Sequence, residues 1–289
     1  MSTLWDRIQY RMLRSGSKVS LLIWINVAVY LFINIPSTLE GFIFHTGYID
    51  SFTDKYLALH SYLPFLVRTP WTLLTYMFMH ANIWHILINM LWLYWMGQIF
   101  EEYLGTKRTV GLYIMGGLVG AFLFVLFYNI PTLFTPEALV SGRLVGASAG
   151  IMAIIVATGT LLPDYEIYLI LIGPVKLKWI VLFLILLDFF GIVGFNAGGE
   201  LSHLGGALFG FIYIKQLQRG NDMVAFFGKI FRKRQKLTVA SRAGIKTGGN
   251  KPRQEEIDRI LDKISQTGYD SLTKQEKEIL FRASKDNES

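Results

Sequence analysis

The 289-residue sequence contains no cysteine. Neither disulfides nor thiolate-held metals can brace its fold, and the redox state of its compartment leaves no mark on it. Charge is scarce as well: 17% of residues are charged against 52% hydrophobic, and the apolar runs outlast any ordinary soluble core helix. This excludes a plain soluble domain and points to a polytopic membrane protein, because one bilayer span needs roughly 20 apolar residues. A small-x-small cleavage site is also missing. Arg7, Arg11, Arg14 and Lys18 precede the apolar run Val19 to Ile35 as in a signal peptide. The run is longer than a signal core, however, and Asn34-Ile35-Pro36-Ser37 offers no processing site, so an uncleaved first span is expected. The net charge of +7 sits mostly in the C-terminal tail, which suits an anionic cytoplasmic leaflet and not nucleic acid.

The remaining spans follow from hydropathy and the excess of Lys and Arg in short loops. Residues 38–78 read as a large outer loop lying in the interface. Ile83 to Phe100 is the second span and Val110 to Ile130 the third, with Lys107 and Arg108 inside; residues 131–143 return as an outer loop. The fourth is the informative one. Only about fifteen residues separate Ser148 from Pro163, too few to cross roughly 30 Å at 1.5 Å per residue. Its helix must begin inside the membrane, and Ser141 to Ala147 must dip below the surface as irregular backbone, tolerated only where protein or a water-filled cavity satisfies it. Asp164 to Lys178 is an inner loop. Ile180 to Phe195 and Leu201 to Ile214 are the fifth and sixth spans, joined by a short turn at Asn196 to Glu200. Six crossings leave both termini cytoplasmic.

Ser148 lies between Gly146 and Gly150, in a G-x-S-x-G pattern that permits a sharp turn and a close helix neighbour. Small-residue runs also simply pack helices, so the serine needs a partner before it means chemistry. His203 supplies one, because Gly206 and Gly210 form a G-x-x-x-G face on the sixth span that can meet Gly146, Gly150 and Ala153. An adjacent imidazole turns a serine hydroxyl into a nucleophile; alternatively His203 hydrogen-bonds a buried carbonyl. His85 and Asn89 share one face of the second span, with His80 just before it. With the Ser148 N–H at a helix N-terminus, His85 and Asn89 are candidate donors to a tetrahedral oxyanion, although Asn89 also suits an interhelical hydrogen bond. No metal is expected: asparagine is a poor zinc ligand and no His-Glu-x-x-His occurs. Asp188, deep in the fifth span, reads as a helix–helix contact.

These residues together resemble the rhomboid family of intramembrane serine proteases. The motifs are His80-Ala-Asn-Ile-Trp-His85-Ile-Leu-Ile-Asn89, Glu101-x-x-x-Gly105-x-x-Arg108, Gly146-Ala147-Ser148-Ala149-Gly150 and His203-x-x-Gly206-x-x-x-Gly210. They cover the chain from about Trp71 to Gly210. The resemblance implies a six-helix membrane bundle with Ser148 as nucleophile and His203 as general base in a dyad lacking a third acid. It further implies an oxyanion hole at Asn89 and His85, a supporting role for His80, and no cofactor. Substrates would be single-pass membrane proteins cut in or near their transmembrane segment, entering laterally near the fifth span under a mobile outer cap. A bacterial inner membrane is the implied setting. Met152 stands where the family often has an aromatic four residues after the serine, and the Trp-Arg dipeptide of bacterial outer loops is missing. The alternative is a non-catalytic rhomboid-like protein that binds membrane clients.

The fold class is therefore all-α. The expected division is a cytoplasmic N-terminus at 1–18, a six-span catalytic domain at 19–219, a basic linker at 220–251 and a helical hairpin at 252–289. Lys229, Arg232, Lys233, Arg234 and Lys236 are expected to hold the tail against anionic lipid. Arg253 to Gln266 and Thr273 to Ser284 read as two short amphipathic helices, the first ended by Gly268 and the second started by a Thr273-x-x-Glu276 capping box. No partner for this tail can be named, and it can equally be a solvated appendage.

Overall fold

The computed structural model describes residues 16–169, 172–194, 196–225 and 254–286. The N-terminal arginines and the basic run at 229–236 lie outside them. Two compact units divide the chain, Met1–Lys233 and Arg234–Ser289.

In the first unit, α1 (Lys18–Phe44) starts where Ser17 caps Ser20 and where the Glu101 carboxylate accepts the Lys18 and Val19 N–H groups at 2.8 and 2.9 Å. These acceptors satisfy donors that a helix start otherwise leaves orphaned. From the sequence the first span stops at Ile35, yet the helix runs through Pro36. Proline removes one helical N–H bond, to the Phe32 carbonyl, and the helix continues to Phe44; nearby, Thr38 Oγ1 donates to the Asn34 carbonyl at 2.7 Å and Asn34 Nδ2 to the Tyr30 carbonyl at 3.0 Å. The outer loop accordingly begins later than expected, and it is structured: α2 (Tyr48–Tyr56), β1 (Leu59–His60), α3 (Leu63–Leu66), α4 (Thr72–Thr75) and a 3₁₀ turn at Tyr76–Phe78.

Then come α5 (Ile83–Leu104), α6 (Thr106–Tyr128), α7 (Pro136–Ser141) and β2 (Arg143–Leu144), which pairs antiparallel with β1. Arg143 also forms an ion pair with Asp54. The segment before Ser148 is thus held by a short ladder and not wholly irregular. α8 (Ser148–Leu161) is followed by β3 (Glu166–Leu169) and β4 (Gly173–Lys176), an antiparallel hairpin in the stretch expected as plain loop. Next are α9 (Leu177–Gly191) and α10 (Ala197–Gln218), the latter absorbing most of the turn expected at 196–200. The fold is mostly helical, with two small ladders that the all-α expectation omitted.

The core is the meeting of α6, α8 and α10, and glycine makes it possible. A Cβ on Gly206 would stand 1.9 Å from the Ala149 carbonyl oxygen, one on Gly210 2.2 Å from that of Ala153, and one on Gly205 2.7 Å from Gly120 Cα. Main chain therefore lies against main chain, the mode of helix association available where lipid removes the hydrophobic drive. Gly150, expected to face α10, instead faces α6, where its Cβ would meet the Tyr113 carbonyl oxygen at 2.6 Å. The Ala149 and Ala153 carbonyls take its place, and the second glycine of α8, Gly159, lies against Val181 of α9.

Outside the core, α1 and α9 present broad apolar faces. Phe32 and Phe42 are 82% and 80% exposed, and Trp179, Phe183, Phe189 and Phe190 crowd the outside of α9. Apolar surface on this scale marks contact with lipid or another apolar partner. Among the described residues, Lys18–Phe44 and Thr106–Tyr128 are long and apolar enough to cross a membrane.

In the second unit, α11 (Gln254–Thr267) ends at Gly268, whose φ is +81°, and α12 (Lys274–Asp286) opens with a reciprocal cap. The Thr273 N–H donates to Glu276 Oε2 at 2.8 Å and the Glu276 N–H returns to Thr273 Oγ1 at 3.3 Å, while Lys263 of α11 donates to both carboxylate oxygens at 3.0 Å. The Thr273 N–H above all, and then Lys263, hold the Glu276 carboxyl down at about 2. Its contribution to stability is therefore complete above the ordinary carboxylate range and lost as pH falls through about 2. Glu276→Gln should raise hydrogen exchange severalfold in the first turn of α12 at pH 7 in the full chain. The wild type should move the same way on acidification below about pH 4.5. Equal exchange in both proteins at pH 7 would show that the cap contributes nothing.

Candidate active site

Gly146 is the hub of the site. Its φ of +132° is open to glycine and strained for other residues, and its N–H donates to the Tyr76 carbonyl at 2.9 Å. A Cβ placed there would meet His85 Nε2 at 2.8 Å and Ser148 Oγ at 3.4 Å, so imidazole and hydroxyl converge on one point beside the turn. Ser148 is the first residue of α8, and its backbone N–H belongs to the unsatisfied first turn. α8 itself has fourteen residues.

His85 is placed by the start of α5. Asn82 Oδ1 accepts the His85 N–H at 2.9 Å and caps the helix. His85 Nδ1 accepts the Ala81 N–H at 3.4 Å, which leaves the ring proton on Nε2, the nitrogen aimed at the Gly146 hub. One turn along the same face, Asn89 is buried with its Nδ2 unpaired among the described residues. An unpaired buried amide donor is costly, and an acceptor arriving with a ligand would relieve it. His80 lies edge-on to His85 with ring centroids 5.2 Å apart. Burial above all, with the neighbouring His85, pulls His80 down to about 4, so it is neutral at physiological pH. His80 and Val145 also line a cavity of about 230 Å³ that opens toward α1 and Asp50.

His203 reaches the same level by register. Gly206 sits on Ala149 and Gly210 on Ala153, so α8 and α10 run in parallel and advance together, which brings His203, one turn before Gly206, level with Gly146. Its Nδ1 is hydrogen-bonded to Asp188 Oδ1 of α9 at 3.0 Å. A neutral ring facing a carboxylate keeps its proton on Nδ1, leaving Nε2 as a bare acceptor. No hydrogen bond joins Ser148 to His203 among the described residues; such bonds are often long before a substrate is bound. Met152 is buried at 6% exposure. Asp188, Glu200 and His203 are the acidic and histidine residues close enough together to hold a metal ion among the described residues.

The Glu101 and Arg108 motif is remote from this site. Glu101 caps α1, and Arg108 ties α6 to the chain beyond α10 by donating to Asp222 Oδ2 at 2.7 Å.

A rhomboid domain model matches residues 67–219, more than half of the chain. The chain belongs to the rhomboid family. Residues 250–286 of this rhomboid match a second model, described as a family of unknown function (DUF6576). The chain is 29% identical over 140 residues to Presenilin-associated rhomboid-like protein A, mitochondrial, from Danio rerio, a match covering 47% of this chain and 35% of that protein. It is 29% identical over 159 residues to RHOMBOID-like protein 12, mitochondrial, from Arabidopsis thaliana, covering 52% and 47% respectively. The chain thus spans less than half the length of the curated relatives it matches. Both relatives are eukaryotic, so they lend no support to the bacterial assignment expected from the sequence.

One polar partner in the rhomboid site escaped sequence reasoning. Asp188 read as a helix–helix contact, and it is one, between α9 and α10; what the sequence did not identify is that its partner is His203. The available signal was its position: a carboxylate inside an apolar helix must find a partner.

Proposed function

We propose that this rhomboid is an intramembrane serine endopeptidase that cleaves single-pass membrane proteins in or near their transmembrane segment. The observation that carries the reading is the convergence of Ser148 Oγ and His85 Nε2 on the Gly146 turn, with His203 brought level by the glycine-packed neighbour helix. Ser148 Oγ attacks the scissile carbonyl while His203 Nε2 takes its proton. His85 Nε2–H, Asn89 Nδ2–H and the Ser148 N–H donate to the resulting oxyanion, where a single donor is worth ~10²–10³ in rate. His203 then returns the proton to the departing amine, and a water releases the acyl group by the same route. Gly146, Gly150, Gly206 and Gly210 shape the turn and the packing, His80 supports His85, and the chemistry needs no cofactor or metal.

The six long helices of the first unit are taken to cross the bilayer, with both termini on the cytoplasmic or matrix-equivalent side. The mitochondrial names of the relatives support a mitochondrial membrane as the setting, in place of the bacterial one. Residues 19–219 form the catalytic domain, 220–251 a basic linker and 252–289 a helical appendage whose partner is unknown.

The second reading is a non-catalytic rhomboid-like protein that binds membrane clients. A serine-reactive fluorophosphonate separates the two. Labelling confined to Ser148, lost in Ser148→Ala and blocked by a cleavable transmembrane substrate, is the expected result. A purified, inserted protein that stays unlabelled would leave only the binder.

A further inference from the structure

Asp188 is 7% exposed in the middle of an apolar helix, a costly place for a carboxylate. One oxygen faces His203 Nδ1 at 3.0 Å and the other is buried with no partner among the described residues. His203 is the hydrogen-bond donor it faces, and Glu200 is the acid beside it. Apart from Asp188, the buried residues of α9 are the apolar Leu177 and Val181.

We infer that Asp188 is a positioning residue for His203, so that the site operates as a Ser–His–Asp arrangement and not as a bare dyad; this rests on the hydrolase reading above. The Nδ1–H bond to Asp188 fixes the tautomer and the ring plane, which presents the unprotonated Nε2 on the opposite edge, toward the level of Ser148. When Ser148 Oγ adds to the carbonyl carbon and its proton moves to Nε2, the ring becomes an imidazolium with the Asp188 carboxylate beside it. The carboxylate stays ionised throughout, and the proton passes from Nε2 to the leaving amine. Glu200 is the rival acid. Its Oε2 lies 3.6 Å from the same Nδ1, beyond a hydrogen bond, and its other oxygen accepts from Asn196 Nδ2 at 3.3 Å. Glu200 thus adds charge near the ring without orienting it. The titratable groups around His203 are Asp188 from α9, Glu200 from its own helix and His85 from α5.

The test uses the full-length protein in liposomes with a transmembrane reporter, comparing wild type, Ser148→Ala, Asp188→Asn and Glu200→Gln. Asp188→Asn is expected to lower kcat by about 10²–10⁴-fold with KM within about twofold, and to slow fluorophosphonate labelling of Ser148 in parallel. The acid limb of its pH profile should move to lower pH, because the imidazolium loses its counter-charge. Glu200→Gln should lose less than tenfold. An unchanged kcat in Asp188→Asn, a loss confined to KM, or a greater loss in Glu200→Gln would overturn the inference. So would wild-type activity that a chelator removes and zinc restores, which would make the three residues metal ligands. Should Asp188→Asn not fold, ¹⁵N-histidine NMR of Ser148→Ala decides: a slowly exchanging low-field Nδ1 proton on His203 is expected, and its absence refutes the role. A wild type as inactive as Ser148→Ala would instead remove the hydrolase reading, while the NMR measurement still reports on the bond.

Discussion

Ser148→Ala and His203→Ala should each lower reporter cleavage by about 10⁴–10⁶-fold, and the double variant should be no worse than either alone. The reason is mechanistic coupling. A hydroxyl without a base is a weak nucleophile, and a base without the hydroxyl has no proton to take, so removing the second member costs nothing more. Cleavage is measured in liposomes alongside membrane insertion and thermal unfolding; Ser148→Ala should hardly change either, whereas His203→Ala leaves the buried Asp188 without its partner and should lower the unfolding midpoint while insertion is kept. Losses that multiply would mean that the two residues act independently. Undiminished cleavage in either single variant would end the assignment.

The largest effect on stability should come from one added methyl group. Gly206→Ala places a Cβ 1.9 Å from the Ala149 carbonyl oxygen, a contact that only a shift of backbone can relieve. Overpacking of this kind typically costs ~1–3 kcal/mol, and Gly206 belongs at the top of that range because the obstacle is main chain and not a flexible side chain. Prising α10 from α8 also carries His203 away from the Gly146 turn, so activity should fall with stability. Gly47→Ala is the control. An added Cβ there meets nothing within 4 Å and φ is −139°, so stability should stay within about 0.5 kcal/mol. Thermal unfolding of both variants in one detergent measures the difference, and equal midpoints would show that the seam has slack.

Much of this arrangement is legible in the residues themselves. The short fourth helix follows from the fourteen residues that lie between Ser148 and Pro163, and the glycines of α6 and α10 announce close packing. Gly150 could not be oriented from spacing alone, because a helix wedged between two neighbours has two faces on which a small residue is useful. Pro36 misled for a different reason: a proline inside a helix removes a single N–H bond and need not end it, and here the helix runs on to Phe44. Asp188 was visible as an anomaly but not as a partner. Its distance from His203 depends on how α9 leans on α10, which hydropathy does not encode.

The backbone-to-backbone seam between α8 and α10 has a kinetic corollary. With carbonyl oxygens seated where methyl groups would otherwise be, neither helix can slide or rotate to bring nucleophile and base together. With the His203 ring held by Asp188, the Ser148 side-chain torsion is what remains to close the gap, and such rotations take picoseconds to nanoseconds. Turnover in this rhomboid should therefore be timed by the arrival and unwinding of the substrate and not by assembly of the catalytic pair.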